Sequence, residues 1–389
     1  MEDTAINILE SRNLELLGHT DLNHAGDGMQ MMLKGDYLYV GHMGYFGVGT
    51  SVVEVSDPSA PQVVKQIPYP ENTHTHKVQL AGNILLVNHE QQLRAGLPCS
   101  AGIAVYDVSS PADPVQIGFL KINGLGVHRM TWTGDKYAYF SVREEGYFGR
   151  FFMTADMSDP ANPQIVSRWW YPGQWLAGGE TPTWEEGPTL RAHHLNIRGN
   201  RAYAGYGNAG LLIFSIDDGN LELISERSWY EEVGGDTHTH TALPLVKHNL
   251  VITTDESLKD NCQEAKKDIR VFDLRDERDP KQIGMFPVPE GNFCELGGRF
   301  GPHNFHEYRP GAYFSEDIIF ATYANAGLRV YDVNDPANIC EIACFLPEAP
   351  PGQKPVQIND VYVAENGTIY LTDRLGAGLY ILRMTDDFP

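Results

Sequence analysis

Tyr323-Ala324-Asn325-Ala326-Gly327-Leu328-Arg329-Val330-Tyr331-Asp332-Val333-Asn334-Asp335-Pro336 is the stretch whose reading decides the fold. It joins a glycine hairpin to a short apolar strand, and the strand runs into an acidic residue and an Asn-Asp-Pro turn. The strand, acid and turn recur as Val52-Val53-Glu54-Val55-Ser56-Asp57-Pro58, Ala104-Val105-Tyr106-Asp107-Val108-Ser109-Ser110-Pro111 and Thr154-Ala155-Asp156-Met157-Ser158-Asp159-Pro160. Weaker copies are Leu212-Ile213-Phe214-Ser215-Ile216-Asp217, Val271-Phe272-Asp273-Leu274-Arg275-Asp276 and Tyr380-Ile381-Leu382-Arg383-Met384-Thr385-Asp386. With Glu54, Asp107, Asp156, Ser215, Asp273, Asp332 and Arg383 as markers, the spacings are 53, 49, 59, 58, 59 and 51 residues. That period suits a four-stranded propeller blade better than a helical solenoid.

Copy three shows the whole unit. Val127-His128-Arg129-Met130-Thr131-Trp132 leads through a turn at Gly134-Asp135 to Tyr137-Ala138-Tyr139-Phe140-Ser141-Val142. The Phe151–Asp156 strand and Gln164-Ile165-Val166-Ser167 complete strands A to D. The seventh copy ends before it can form strand D, and Leu14-Glu15-Leu16-Leu17 stands unassigned at the other end of the chain. Donating that strand to the last blade closes the ring and removes its open edges. The expectation is an all-β, single-domain, seven-bladed β-propeller over residues 1–389. In it, residues 13–18 complete the last blade and 169–190 form a lid-like insertion.

Asp156-Met157-Ser158-Asp159-Pro160-Ala161-Asn162-Pro163 and the Tyr323–Asp332 stretch resemble the LVIVD-repeat family of propeller proteins. The resemblance covers most of the chain at the level of the repeat. It implies a fold and leaves activity open, because propellers host enzymes, receptors and binding platforms.

The balance of 29 basic against 51 acidic residues gives a net charge of −22. A field of that sign repels phosphate backbones and anionic lipid, which argues against nucleic-acid and membrane partners. No run approaches the 18 apolar residues of a membrane span, and Met1-Glu2-Asp3-Thr4 leads into no signal-like apolar stretch. Five scattered cysteines (Cys99, Cys262, Cys294, Cys340, Cys344) without a CxxC pair read as reduced thiols of a cytoplasmic protein, although a trimmed export signal would leave no trace.

The 14 histidines are not scattered. His74 and His76, His128, His193 and His194, His238 and His240, and His303 and His306 stand at the start of strand A in five consecutive copies. His76, His128 and His193 each precede the A–B turn glycine (Gly82, Gly134, Gly199) by six residues. His240 matches if its turn, Leu245 to Asn249, carries two extra residues. Strand A lines the axis of a propeller, so His76, His128, His193, His240 and His303 are the candidate metal ligands. His74, His238, His194, His306 and His24 are substitutes or supporting groups. A lone histidine at a strand start is ordinarily a hydrogen-bonded channel residue, but no propeller needs five in register to close. Converging neutral imidazoles suit one transition-metal ion, iron, zinc or manganese, with open positions for water, oxygen or substrate.

Asp360, Glu307 and Arg129 are the candidate catalytic groups, with Asp27 and Arg143 behind them. Asp360 takes the histidine register in copy seven. Glycine-flanked aromatics (Tyr45, Phe46, Tyr147, Phe148) and the tryptophans of the insertion (Trp175, Trp184) form a candidate pocket for an aromatic or apolar small molecule. They can equally pack on each other as a loop core. The Glu256–Lys267 hairpin reads as charged and solvated. GxSxG, Walker A, HExxH and EF-hand motifs are absent.

The leading expectation is a metal-dependent enzyme with a mononuclear histidine-ligated centre on the propeller axis. It would act on a small organic substrate by oxygenase or by lyase or hydrolase chemistry. Such a centre is similar to that of the non-haem iron oxygenases that cleave carotenoids and stilbenes, although the chain is shorter and lacks their motifs. The alternative is a non-enzymatic propeller platform for a protein or ligand. Substrate, reaction type and oligomeric state are not legible.

Overall fold

The Leu328–Asp332 strand of the deciding stretch lies third in its blade, between Ile318–Thr322 and Cys340–Pro347. The structure, a computed structural model, describes residues 6–92, 97–184 and 190–385. The repeated acid has a local job. Asp107, Asp156, Asp273 and Asp332 each accept the backbone N–H two residues on, at 2.7 to 2.9 Å, and so fix the turn that leaves the third strand.

Among the described residues the strands pair antiparallel into seven four-stranded units. Blade one is Gly28–Lys34, Tyr37–His42, Thr50–Glu54 and Gln62–Ile67. Blade two begins at Val78–Ala81 and blade three at Gly124–Thr131, and a single bridge from Gly126 to Glu90 joins the two into one sheet. Blades four and five begin at Leu195–Arg198 and Thr239–Leu245. The inner strands are buried on both faces, as in Leu250–Asp255, whereas the outermost alternate, as in Gln164–Trp169 and Lys281–Met285. The core is therefore made between blades by side chains such as Val52, Val105, Phe140, Phe214, Val271, Val330 and Ile381.

Leu14–Thr20 pairs with Leu379–Met384 and closes blade seven. A strand not read from the sequence, Ile8–Arg12, pairs with Cys340–Pro347 on the outside of blade six. Asn13, at φ 55, turns the chain from one blade to the next. Blade six has no long inner strand; its Asn304–His306 segment is held by a bridge from Phe305 to Ala321. The only α-helix among the described residues is Phe293–Leu296, and no helix is long and apolar enough to cross a membrane.

Two expectations are corrected. The cysteines are not all free: Cys262 and Cys294 form a disulfide, leaving Cys99, Cys340 and Cys344 as thiols. Their 32-residue separation hid the pair, because only the fold brings the segment after Leu250–Asp255 against the Phe293–Leu296 turn. The Glu256–Lys267 hairpin is not solvated as a whole either: Lys267 is buried beside Glu264 and the Asp236 carbonyl, and Glu256 faces the axis.

Candidate functional site

The starts of the inner strands of blades two to five and the irregular inner segment of blade six bring five imidazoles into an arc around the axis. Ring centroids are 5.1 Å apart for His76–His128 and for His128–His193, 3.5 Å for His193–His240 and 4.3 Å for His240–His303. All five line one cavity of about 630 Å³, together with His74 and His238. His24 lies outside it, exposed and paired with Asp21. His306 is buried elsewhere, against the Tyr313 carbonyl.

The far side of each ring decides which nitrogen is available. His128 Nδ1–H donates to Glu90 Oε2 at 2.8 Å, and His303 Nδ1–H donates to the Asn359 carbonyl at 2.8 Å. His194 Nε2–H donates to Glu307 Oε1 at 2.5 Å, so its Nδ1 accepts from His193 Nδ1–H at 2.7 Å. His240 Nδ1 meets Thr241 Oγ1 at 2.9 Å, and that hydroxyl donates onward to the His303 carbonyl. With Nδ1 engaged in this way, His128, His193, His240 and His303 keep an Nε2 that makes no hydrogen bond among the described residues. That is the arrangement of imidazoles ready to ligate. His76 differs, because the Asn88 amide donates to its Nδ1 at 3.3 Å.

Burial keeps these rings neutral. It pushes His128 to about 3, with Arg150 adding to the effect and Glu90 opposing it. It also pushes His303 to about 3 against the pull of Glu256. His76, His193 and His240 fall well below the usual imidazole range through burial and then the neighbouring imidazoles.

Two carboxylates missed in the sequence complete the site. Glu90 is the penultimate residue of Ile84–Gln91, the second strand of blade two, and Glu256 directly follows Leu250–Asp255, the second strand of blade five. The ligand atoms of His74, His76 and Glu90 lie within 4.8 Å of one another, as do those of His240, Glu256 and His303. Both sets mix two imidazoles with one carboxylate, where the sequence led us to expect imidazoles alone. Burial alone would raise Glu256, but His303, Arg299 and Arg191 hold it at about 2. Glu90 is likewise held well below the usual range, with His128 and Arg150 overcoming burial. Its Oε1 is buried without a hydrogen-bond partner, 3.5 Å from Arg150 Nη2. A third set, Glu10, Glu341 and Cys344, lies at the edge of blade six, where Arg329 neutralises its acids at 2.6 and 3.4 Å.

Asp360, Glu307 and Arg129 come together, but away from the cavity. Arg129 Nη2 lies 2.7 Å from Glu307 Oε2, and Arg309 Nη2 lies 3.1 Å from Asp360 Oδ1. All four side chains are buried and none lines the cavity. They follow the imidazoles along the inner strands and plug the axis with paired charge. Within that plug Glu307 orients His193 through His194. Asp27 is also spent, on His42 at 2.8 Å and on the Tyr45 backbone N–H.

Of the predicted pocket aromatics only Tyr45 lines the axial cavity. Phe46 is largely exposed, and Tyr147 and Phe148 line a neighbouring cavity of about 640 Å³. Trp175 stacks over Tyr147 at 6.3 Å and Trp184 tilts against Phe148 at 5.6 Å. The described part of the 169–190 insertion is pinned to blades three and four by buried Gln174, which donates to the Phe148 carbonyl and accepts from Tyr206. Residues 185–189 lie outside the described residues. In the described part of the insertion, Trp175 and Trp184 pack on Tyr147 and Phe148, beside the axial cavity.

The LVIVD repeat matches residues 25–67, a span that contains the whole of blade one. No curated protein sequence is significantly similar to the chain. Among solved structures, the chain is similar to a periplasmic gluconolactonase of Pseudomonas aeruginosa, with a TM-score of 0.59 and 9% identity over 90% of this chain and 99% of that one. It is similar to the N-terminal domain of Nup159 (TM-score 0.56, 10% identity, 97% and 98% covered). YCF48 bound to D1 peptide is a third (TM-score 0.54, 11% identity, 98% and 100% covered). At these identities the likeness is one of fold.

Proposed function

We propose that this LVIVD-repeat propeller is a metal-dependent enzyme that holds one transition-metal ion in its axial cavity and acts on a small organic molecule beside it. The observation that carries the reading is the arc of His128, His193, His240 and His303, each with Nδ1 engaged and Nε2 unbonded on the cavity wall. Glu90 and Glu256 flank the arc as ionised carboxylates, and the unsatisfied Oε1 of Glu90 supplies a further donor. Neutral imidazoles with anionic oxygens fit iron, zinc or manganese. A bound ion would supply Lewis-acid or oxygen-activating chemistry there. The chain's own part is to fix the tautomers through Glu90, His194, Thr241 and Asn359, to exclude water by the plug beneath, and to leave a cavity large enough for the substrate.

Elemental analysis of protein purified without a polyhistidine tag or chelating resin tests this. About one equivalent of a transition metal is expected, and His128→Ala should lose most of it. Well under one equivalent, with His128→Ala matching the wild type in chelator-sensitive thermal stability, overturns the metal reading and leaves a non-enzymatic propeller platform.

A further inference from the structure

The axial cavity carries charge that the metal reading does not use. Lys77, Arg143, Arg150, Arg191, Arg299 and Arg374 all line it, against two carboxylates, Glu90 and Glu256. In a chain of net charge −22 this is a local reversal of sign, built by gathering five guanidinium groups at one place. The arginines come from blade three (Arg143, Arg150), the segments leading into blades four and six (Arg191, Arg299) and the end of the Ile369–Asp373 strand of blade seven (Arg374). Register sets them on the outer side of the imidazoles: Arg143 pairs with Gly126, two residues before His128, and Arg191 precedes His193 by two residues.

Few of these cations are satisfied. Glu90 meets Arg150 at 3.5 Å and Glu256 meets Arg299 at 3.3 Å. Arg150 Nε is buried without a partner. No hydrogen bond or ion pair involves the side chains of Arg143, Arg191 or Arg374 among the described residues. Unpaired cations crowded in a partly buried cavity repel one another, and a charge taken from water needs a counter-charge. Guanidinium groups in particular match the oxygens of carboxylate and phosphate bidentately. Met29, Met43, Tyr45 and Tyr69 also line the cavity and suit a short apolar body.

We infer that the axial cavity binds a small organic anion, its carboxylate or phosphate group held by the arginine ring at the mouth and its body directed toward the imidazole arc. This names the substrate class of the site proposed above and rests on that reading only for the chemistry that follows binding. The anion is held without the metal.

Binding is measured by calorimetry on the full-length protein, as purified and after chelator treatment. The probes are succinate, inorganic phosphate and the uncharged isostere succinamide. Succinate or phosphate should bind in both preparations, and the tighter of the two identifies the headgroup. Succinamide should bind at least tenfold more weakly. Arg191→Gln and Arg374→Gln should each weaken the anion at least tenfold with unchanged thermal midpoint, whereas Arg275→Gln, an exposed residue paired with Asp273, should not. Equal binding of succinate and succinamide, or an unchanged Kd in a folded Arg191→Gln/Arg374→Gln double variant, overturns the inference. Binding abolished by chelator overturns it too. Anion binding in a protein that purifies without metal would instead sink the metal reading and leave the arginine ring standing.

Discussion

At the scale of single residues, the imidazoles were legible because the repeat gave them a register, and the carboxylates were not. Glu90 and Glu256 stand at the ends of equivalent strands, one just inside and one just beyond, 14 residues after His76 and 16 after His240, the two extra residues lying in the Val246–His248 turn. In a chain with 51 acids one glutamate at a strand end gives no signal. Only superposing Thr73-His74-Thr75-His76 on Thr237-His238-Thr239-His240 would have marked the pair. Glu90→Gln keeps an acceptor for His128 Nδ1–H but removes the charge; metal affinity should fall about 10- to 100-fold with the fold intact, as read by chelator competition. Acid should act in the same direction on the metal-free protein. His128 and His303 go from an ordinary 6.5 in the unfolded chain to about 3, and Glu256 from 4.5 to about 2. Between those values the unfolded chain binds more protons, so their contribution is complete above about pH 6.5 and is lost as pH falls toward 3, at about 1.4 kcal/mol per pH unit per group at most. Asp255, pushed up to about 6 by burial, opposes this between 3.8 and 6. Denaturant midpoints in chelator should therefore fall from pH 7 to pH 4.5; a flat profile would contradict neutral buried imidazoles.

At the scale of elements, the third strands announced themselves because an apolar run ending in an Asx turn has a local cause. Ile8–Arg12 did not, since Ile8, Leu9, Ser11 and Arg12 stay exposed and its place is set by tertiary pairing alone. Its main buried consequence is Glu10, which holds the guanidinium of Arg329, itself 1% exposed, at 2.6 Å. Deleting residues 1–12 should cost about 1.5–3 kcal/mol, the worth of a charged hydrogen bond to a buried cation partly kept by Glu341. Deleting residues 1–20 should do more. It strips the Leu379–Met384 strand of its outer partner and exposes two adjacent edges, so aggregation in place of a clean two-state transition is expected in light-scattering melts.

At the scale of the whole molecule, one bond couples the compartment to the cavity. Cys262–Cys294 ties the segment after Glu256 to the turn before Arg299, and both of those residues line the axial cavity. The sequence offered five thiols with no motif, and the inference of a reducing cytosol followed from that silence. The Cys262–Cys294 bond removes that argument, because a structural disulfide persists where the surroundings oxidise. Thiol titration of denatured, unreduced protein should find three free groups, rising to five after reduction. Five before reduction would contradict the bond. Closing a loop of 32 residues is worth about 2–4 kcal/mol through the unfolded chain, so Cys262→Ser should lower stability by that order in denaturant melts. If the bond also braces the cavity wall, the same variant should weaken anion binding, because Glu256 and Arg299 then lose a shared anchor. Unchanged affinity with lowered stability would confine the disulfide to the unfolded state.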